Sequence, residues 1–256
     1  MFNYSADRLP VAIILCLSVV DFSMYFLVNN VWALAAYWLV MLVPKGNICA
    51  WTHHHQHTPT FKQKGFNRLL ELFYALHTGI TTNLWLLHHV HGHHQNYLDQ
   101  SKDESRWQRQ SGKTMGVIEY TLNVAGTAHF RGFKVGERFP NQQRTFVLYI
   151  VATLFVVATL AYYNPVGTLF LFVLPMLTGL LFTAWTTYKH HSGLDTDNQF
   201  EASRNNLNRF YNAVTGNLGY HTAHHHKQWL HWSLLPQLHE EIKHKIPAHL
   251  IESRAL

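Results

Sequence analysis

Two long apolar stretches dominate the pattern of hydrophobic and polar positions along the chain. The first runs from residue 11 to 50 and the second from 145 to 188. Each is about twice the roughly 20 residues that carry a helix across a bilayer core of about 30 Å. Asn29-Asn30 interrupts the first stretch, and Asn164-Pro165 interrupts the second. The pattern therefore predicts four transmembrane helices, at about 11–28, 31–50, 145–163 and 166–188, arranged as two hairpins.

Three residues inside these predicted spans depart from a plain apolar helix. Pro44 is expected to kink the second helix, and Pro175 lies within the fourth, where membrane helices tolerate proline. Asp21 lies within the first span. A carboxylate inside a membrane is a functional candidate. With no basic partner evident in the sequence, its alternative role is a hydrogen bond between helices.

The basic residues indicate how the spans are oriented. The two predicted outer turns carry no Lys or Arg, whereas eleven lie between Lys45 and Arg138 and seven more from Lys189 onward. By the positive-inside rule, both termini and the long middle region are predicted to be cytoplasmic. Segments 51–143 and 189–256 then form one cytoplasmic cap within a single domain, 1–256. An even number of spans returns both segments to the same side of the membrane, so distant clusters can converge.

The segments between the spans carry a weaker pattern. Apolar residues recur at helical spacing from 66 to 87, which predicts one or two interfacial helices with a break at Gly79. Residues 99–140 are interpreted as a polar, turn-rich part of the cap. The predicted fold is an all-α integral membrane protein with a cytoplasmic helical cap.

Composition supports a membrane protein. Charged residues make up 13% of the chain, about half the share usual in soluble proteins, and apolar residues 48%. The net charge of +6 is explained by loops facing an anionic leaflet, so no nucleic-acid partner is expected. Cys16 and Cys49 give neither a disulfide framework nor a thiolate metal site. No small-residue cleavage site follows the first apolar run, which predicts an uncleaved span.

Histidine is the strongest chemical signal, with 21 residues in the chain. The histidines concentrate in four stretches, which read HHHQH from residue 53, HHVHGHH from 88, HH from 190 and HTAHHH from 221. Residues three and four apart share a helix face, so each stretch can direct several imidazoles at one point. Neutral imidazole suits iron, zinc, copper or nickel. Eight or nine imidazoles exceed the about four to six ligands of one metal ion, which favours two metals.

Three of these stretches resemble the histidine boxes of the membrane fatty acid desaturase family, a non-haem di-iron superfamily that includes hydroxylases and alkene-forming decarboxylases. The boxes read His-x-x-x-His, His-x-x-x-His-His and His-x-x-His-His, and the resemblance covers roughly residues 45–240. The family has a further ligand histidine after the fourth span, often as Asn-x-x-x-His. Here Thr187 replaces the asparagine, and His191 is favoured over His190. The metal ligands that the resemblance implies are His53, His57, His89, His93, His94, His191, His221, His224 and His225.

The resemblance implies an enzyme that uses two irons and dioxygen to oxidise a fatty acyl chain, with desaturation as the expected reaction. Hydroxylation and oxidative decarboxylation by the same kind of centre remain alternatives. The sequence contains no recognisable haem module, so electrons are expected from a separate ferredoxin-like protein. The acyl chain is expected to enter from the bilayer. Trp51, Trp85 and Trp185 lie near the boxes and either line its tunnel or anchor the helices at the interface.

Two hypotheses of other classes are weaker. A histidine-rich metal transporter would place its ligands near the bilayer midplane, whereas these histidines lie at predicted span ends. A lipid-binding protein without catalytic function would not need converging histidines. The remaining histidines near the boxes, together with nearby carboxylates, either orient the ligand imidazoles or face solvent. They are His54, His55, His91, His190 and His226, and Asp99, Asp103, Asp195, Asp197 and Glu201.

Overall fold

A computed structural model describes residues 1–253, and these residues are mainly helical. The last three residues of the predicted domain and cap, 254–256, lie outside the described residues. The α-helices are α1 (Arg8–Leu27), α2 (Val31–His57), α3 (Lys64–Thr78), α4 (Val117–Gly136), α5 (Pro140–Tyr163), α6 (Pro165–Thr168), α7 (Leu174–His191), α8 (Arg209–Thr215), α9 (His221–His226) and α10 (Leu235–Ile242). Two π-helical segments, Leu86–His94 and Leu169–Val173, interrupt this α-helical pattern.

Within residues 1–253, four helical segments are long and apolar enough to cross a membrane: Ser5–Leu27, Val31–His57, Pro140–Tyr163 and Pro165–His191. The prediction of four spans is therefore supported, and all four helical segments extend further than expected at one end or both. The largest difference is in α2, which continues to His57 instead of ending near residue 50. It also continues through Pro44.

The asparagines that separate the predicted spans cap the helices that follow them. The Asn30 side chain accepts hydrogen bonds from the backbone N–H groups of Trp32 and Ala33, at 2.9 and 3.1 Å. Asn164 does the same for the Gly167 N–H at 2.8 Å. Both satisfy N–H groups that a helix start leaves without partners.

The length of α2 explains how a membrane helix can carry histidines beyond the bilayer core. Its 27 residues extend over about 40 Å at 1.5 Å per residue, about 10 Å more than a bilayer core. His53 and His57 lie in the last two turns. They can therefore project beyond the hydrocarbon while the rest of the helix spans it. The helix ends before Thr58, whose extended backbone is the conformation favoured ahead of Pro59.

Close backbone contact fixes α3 against α7. The helix α3 ends at Thr78, and Gly79 continues the chain with a φ of 72°, which confirms the predicted break. A Cβ added to Gly179 of α7 would lie 2.7 Å from the Thr78 Cα atom. The second half of α3 is consequently buried against the spans.

The helix α4 corrects the interpretation of residues 99–140. This segment is not turn-rich throughout, because 20 of its residues form α4. Large apolar side chains lie exposed on this helix, among them Ile118, Leu122 and Phe130. An exposed apolar surface next to transmembrane helices is suited to contact with lipid.

The C-terminal segment folds over the ends of the spans. Ala223 of α9 packs against Leu235, Leu238 and Ile242 of α10 in a small apolar core. Strand β1 (Asn205–Asn206) pairs in parallel with β2 (Ile251–Glu252), with Asn205 opposite Ile251. Short 3-10 helices occur at Ser5–Asp7, Trp232–Leu234, Lys243–Lys245 and Ala248–Leu250. This arrangement holds α9 next to the C-terminal ends of α2 and α7.

Candidate metal centre

Four elements bring the histidine stretches together. The last turns of α2 carry His53 and His57, and the end of α7 carries His191. The short helix α9 carries the last stretch, and the π-helical segment Leu86–His94 carries the second. A π-helix has a wider turn, with backbone hydrogen bonds that span five residues, so His89 and His94 can share one side. Local π-helical geometry is frequent at functional sites.

Within the described chain, the structure forms two histidine groups that could each hold a metal ion. The first histidine group consists of His53, His57, His89, His94 and His224, and the second consists of His93, His191 and His225. In each group one ring nitrogen per residue lies within 4.8 Å of all the others. All eight residues are buried.

The first histidine group is closely packed around His89. The His89 Nε2 atom lies 2.8 Å from the His53 Nε2 and 3.0 Å from the His94 Nε2. The ring of His57 lies 4.5 Å from that of His224 between centroids. Five imidazoles from three separate elements therefore surround one small volume.

The second histidine group adjoins the first. The His93 Nε2 lies 3.3 Å from the His191 Nε2. His221, the ninth predicted residue, lies outside both groups, but its Nε2 approaches the His191 Nε2 to 2.9 Å. The rings of His94 and His225 stack at 4.1 Å between centroids, which places the two groups side by side. All nine predicted residues are thus in one region.

The ring nitrogens fit a bound metal better than a hydrogen-bond network. Both nitrogens of His57 and both nitrogens of His225 are buried without a hydrogen-bond partner among residues 1–253. Buried polar atoms are rarely left without a partner, because each costs free energy. His88 shares this property but lies outside both groups, against the ring of Trp85. A metal ion bound to each group would satisfy one of the two unpartnered nitrogens of His57 and of His225.

The electrostatics keep these imidazoles in the form that binds metal. Burial, reinforced by the neighbouring imidazoles, holds the pKa of His89, His94, His224 and His225 well below the ordinary 6.5. The same causes lower the pKa of His221. A neutral imidazole has a free lone pair, so protons compete weakly with a metal ion at neutral pH. The residues with lowered pKa values are His89, His94, His221, His224 and His225.

Two further contacts orient the second histidine group. Asp103 is 2% exposed, and its Oδ1 lies 2.8 Å from the His93 Nδ1. The His191 Nδ1 lies 2.8 Å from the backbone oxygen of Ala202. Acceptors in these positions place a proton on Nδ1 and leave Nε2 free, as is usual for metal-binding histidines. Asp99, by contrast, is exposed and pairs with Lys102.

The neighbouring histidines have other partners. The His54 Nε2 lies 3.0 Å from the Thr215 carbonyl oxygen, and His55 lies between Thr60 and Glu71. His190 stacks on His221 with ring centroids 3.9 Å apart. The Nδ1 atom of His190 lies 3.2 Å from the Arg204 carbonyl oxygen, His91 contacts Gln142, and His226 contacts Gln199. All five of these histidines lie outside the two histidine groups.

Thr187 behaves differently from an asparagine at its position. Its hydroxyl donates a hydrogen bond to the Thr183 carbonyl oxygen at 2.9 Å, one turn earlier in α7. Such a bond directs the side chain along its own helix. The Thr187 hydroxyl is therefore hydrogen-bonded within its own helix and not to the histidine groups.

The three tryptophans have different surroundings. Trp85 is buried and lines a pocket, the inner pocket, whose walls also include His53, His89 and Cys49. Trp185 lies outside this pocket and lines a second cavity between α2, α4 and α7. Trp51 packs against Trp232 with ring centroids 5.2 Å apart. The structure therefore brings only Trp85 of the three into this pocket.

The sequence interpretation missed a buried ion pair between the first two spans. The Lys45 Nζ donates to the Asp21 Oδ2 at 2.7 Å, although no basic partner was expected for Asp21. Tyr37 donates to the other carboxylate oxygen at 2.7 Å, and His77 lies 3.3 Å away. We call these four residues the Asp21 cluster.

Lys45 also compensates for a proline in the fourth span. Its Nζ donates to the Leu171 carbonyl oxygen at 3.1 Å. Pro175, four residues further on, has no N–H to offer that oxygen. The lysine therefore joins two spans and supplies a missing donor, which supports a structural role for the Asp21 cluster.

Tyr97 is a second residue that the sequence interpretation did not identify. Its ring centroid lies 4.4 Å from that of His225, and burial raises the pKa of its hydroxyl to about 12. It follows the second histidine stretch by three residues, which is the only sequence signal for its position. The tyrosine covers one side of the second histidine group.

Comparison with known proteins agrees with this geometry. No curated protein and no solved structure matches the chain at a significant level. The sequence model of the family described as fatty acid desaturase matches residues 29–255, which is most of the chain and includes all four histidine stretches. The chain belongs to the fatty acid desaturase family.

Proposed function

We propose that the protein is a membrane fatty acid desaturase with a non-haem di-iron centre. The observation that carries the proposal is the pair of adjacent histidine groups with unpartnered ring nitrogens, considered within residues 1–253. Family membership identifies the chemistry that such a site serves. When bound, the two irons supply the activation of dioxygen needed to attack an unactivated carbon–hydrogen bond.

The proposed ligands are the nine histidines predicted from the sequence. His53, His57, His89, His94 and His224 hold one iron, and His93, His191 and His225 hold the other. His221 is the ninth proposed ligand and lies on the side of the second iron, with its Nε2 2.9 Å from the His191 Nε2. Asp103 keeps the proton on the Nδ1 of His93 and so directs the Nε2 of that residue into the site.

The proposed reaction converts a saturated carbon–carbon bond of an acyl chain into a double bond. Two hydrogen atoms leave adjacent carbons, and dioxygen is reduced to two waters. Two electrons and two protons from outside complete the balance. Apolar walls such as Trp85 and Phe182 exclude water from the inner pocket and hold the chain next to His53 and His89.

The proposed topology places the site where electrons can reach it. The distribution of Lys and Arg supports a topology in which both termini and the histidine groups are cytoplasmic and the spans form two hairpins beneath a helical cap. A separate ferredoxin-like protein then docks on the cytoplasmic side. The histidines lie at helix ends in this arrangement, which favours an enzyme over a metal transporter.

The test is a comparison of lipids from cells that express the protein or its His225→Ala variant under air. Mass spectrometry of total fatty acids is expected to show products two hydrogens lighter than their precursors, formed only by the parent protein. Products that gain one oxygen would identify a hydroxylase, and terminal alkenes that lack the carboxyl carbon would identify a decarboxylase. Identical lipids in both cultures would contradict an acyl-oxidising function.

A further inference from the structure

The ring of Phe182 separates two cavities. On one side lies the inner pocket, which His53, His89, Cys49 and Trp85 help to line. On the other side lies a second cavity, the outer groove. The outer groove is lined by Leu42 of α2, by Ile118 and Leu122 of α4, and by Leu181, Phe182 and Trp185 of α7, among others. Phe182 is thus a wall of both cavities.

The outer groove is suited to lipid. Its lining carries no ionisable side chain, and Ile118 and Leu122 are 73% and 60% exposed. Its walls are two membrane-spanning helices and the apolar surface of α4. An apolar chain that moves from the bilayer into this groove would not have to pass through water.

The position of Phe182 depends on a glycine in the facing span. A Cβ added to Gly46 of α2 would lie 3.1 to 3.2 Å from three atoms of the Phe182 ring. The glycine therefore makes room for the ring between α2 and α7. Removing the ring would join the outer groove to the inner pocket.

A third cavity offers a different approach to the same pocket. It shares Thr186, His190 and Tyr211 with the inner pocket, but its walls include Lys189 and Arg204. Charged walls suit a water-soluble molecule and oppose passage of a bare acyl chain. The two approaches therefore make different predictions about where the substrate comes from.

We propose that Phe182 is the gate through which the acyl chain of a membrane-resident lipid passes from the bilayer into the inner pocket. This proposal rests on the proposed function, which identifies the entering molecule as an acyl chain. Phe182 touches the chain at the entrance and limits its width there. Chains reach His53 and His89 only when the ring moves away from Gly46.

Cys49 provides a test that needs neither metal nor turnover. It lines the inner pocket, is 3% exposed, and becomes the only thiol when Cys16 on α1 is changed to serine. The Cys16→Ser protein is placed in phosphatidylcholine vesicles with N-dodecylmaleimide, which partitions into lipid, or with a sulfonated maleimide, which stays in water. Labelling of Cys49 is followed by intact-protein mass spectrometry, and denatured protein shows that the thiol is reactive.

Phe182→Ala in this background is expected to increase the rate of labelling by the dodecyl reagent severalfold. Leu177→Ala is the matched control, because Leu177 is an exposed apolar residue of α7 that does not line either cavity. It should label at the parent rate. Phe182→Leu, which keeps a bulky side chain, is expected to fall between the two, and it provides a second variant if the alanine variant does not fold.

Three results would overturn the gate. Equal dodecyl labelling in all four proteins would show that Phe182 does not control entry, and so would absence of labelling in all of them. Faster labelling by the sulfonated reagent would place the entrance at the polar cavity instead. Labelling reports only access to Cys49. Faster labelling of the Phe182→Ala variant in a protein that makes no lipid product would therefore refute the proposed function but still support entry past Phe182. A protein that oxidises lipids with unchanged labelling would lose only the gate.

Discussion

Replacing Asp103 by asparagine tests the division of the histidines into two groups. The Oδ1 atom of Asp103 lies 2.8 Å from the His93 Nδ1 and accepts a hydrogen bond from the Ser105 backbone N–H at 2.7 Å. Its Oδ2 has no hydrogen-bond partner within residues 1–253. An asparagine that keeps its oxygen toward His93 loses the negative charge. It also buries an NH₂ group where Oδ2 stood, with no acceptor for its protons.

The expected loss is confined to one metal. Mutation of the group that orients a metal-binding histidine typically costs about 10- to 100-fold in metal affinity. That range corresponds to about 1.4–2.7 kcal/mol of binding free energy. His93 belongs to the second histidine group, so the iron held there should be released more easily while the iron of the first group stays bound.

The assay is iron release into graded concentrations of a chelator, measured by elemental mass spectrometry after the chelator is removed. Asp103→Asn should release one of two irons at a chelator activity about 10- to 100-fold lower than the parent protein requires. Asp99→Asn is the matched control. Asp99 lies only four residues before Asp103, but it is exposed and pairs with Lys102. A release curve like that of the parent, or equal weakening of both irons, would refute the assignment.

Three other perturbations have expected outcomes. Asp21→Ala leaves Lys45 buried without its partner and should lower the free energy of unfolding by about 3–5 kcal/mol. Asp21→Leu combined with Lys45→Met removes both charges and should lower it less. Thermal unfolding in detergent compares the two proteins, and equal losses would contradict the ion pair. Metal-free protein should lose stability as the pH falls below 6.5. The histidines of the unfolded chain become protonated there, whereas the buried imidazoles of the folded protein, whose pKa values are lowered, stay neutral. Each such histidine contributes a slope of up to about 1.4 kcal/mol per pH unit, and a melting temperature that is unchanged or higher at pH 5.5 than at pH 7.5 would oppose this prediction. Gly79→Ala should cost at least about 1–2 kcal/mol of unfolding free energy, because Gly79 has a φ of 72° and its Cβ would lie 2.5 Å from the Met176 carbonyl oxygen. Gly65→Ala, with open space at that position, is its control, and equal melting temperatures of the two variants would contradict the strain.

The apolar pattern predicted the number of spans but not where all of them end. Hydropathy falls after residue 50, just before the histidines that begin at His53, yet α2 continues to His57. Histidine does not stop a helix, and the helix ends only where Pro59 favours an extended residue before it. Helix length follows backbone signals, whereas hydropathy reports only the part that lies in lipid.

The Asp21 cluster shows why contacts between spans were harder to predict. Tyr37 lies as far after the turn at Asn29 as Asp21 lies before it, so a simple hairpin brings them together. Lys45 reaches the same carboxylate from eight residues further along α2, about two turns. Lys45 was counted among the basic residues that set the orientation of the spans, and so was not identified as the partner of Asp21. A long side chain can pair with a charge well away from its own level in the membrane.

The histidines of the candidate site were named in advance, but their division into two groups was not predicted. The resemblance of the histidine boxes to the desaturase family indicated a set of nine histidines, and these residues lie together in the structure. Adjacent residues His93 and His94 nevertheless enter different groups. Neighbouring positions on a helical turn point in different directions, so the assignment depends on the π-helical backbone. No pattern in a single sequence indicated that geometry.

The metal content of the purified protein tests the central claim most directly. Protein from iron-replete cells should contain about two irons per chain by elemental mass spectrometry, since each histidine group is proposed to hold one metal. His57→Ala and His225→Ala should each lower this content, because each removes a buried imidazole from one group. His226→Ala should not, because His226 contacts Gln199 outside both groups. Protein without iron, or with readily exchanged zinc in its place, would contradict an oxygen-activating centre and favour metal transport.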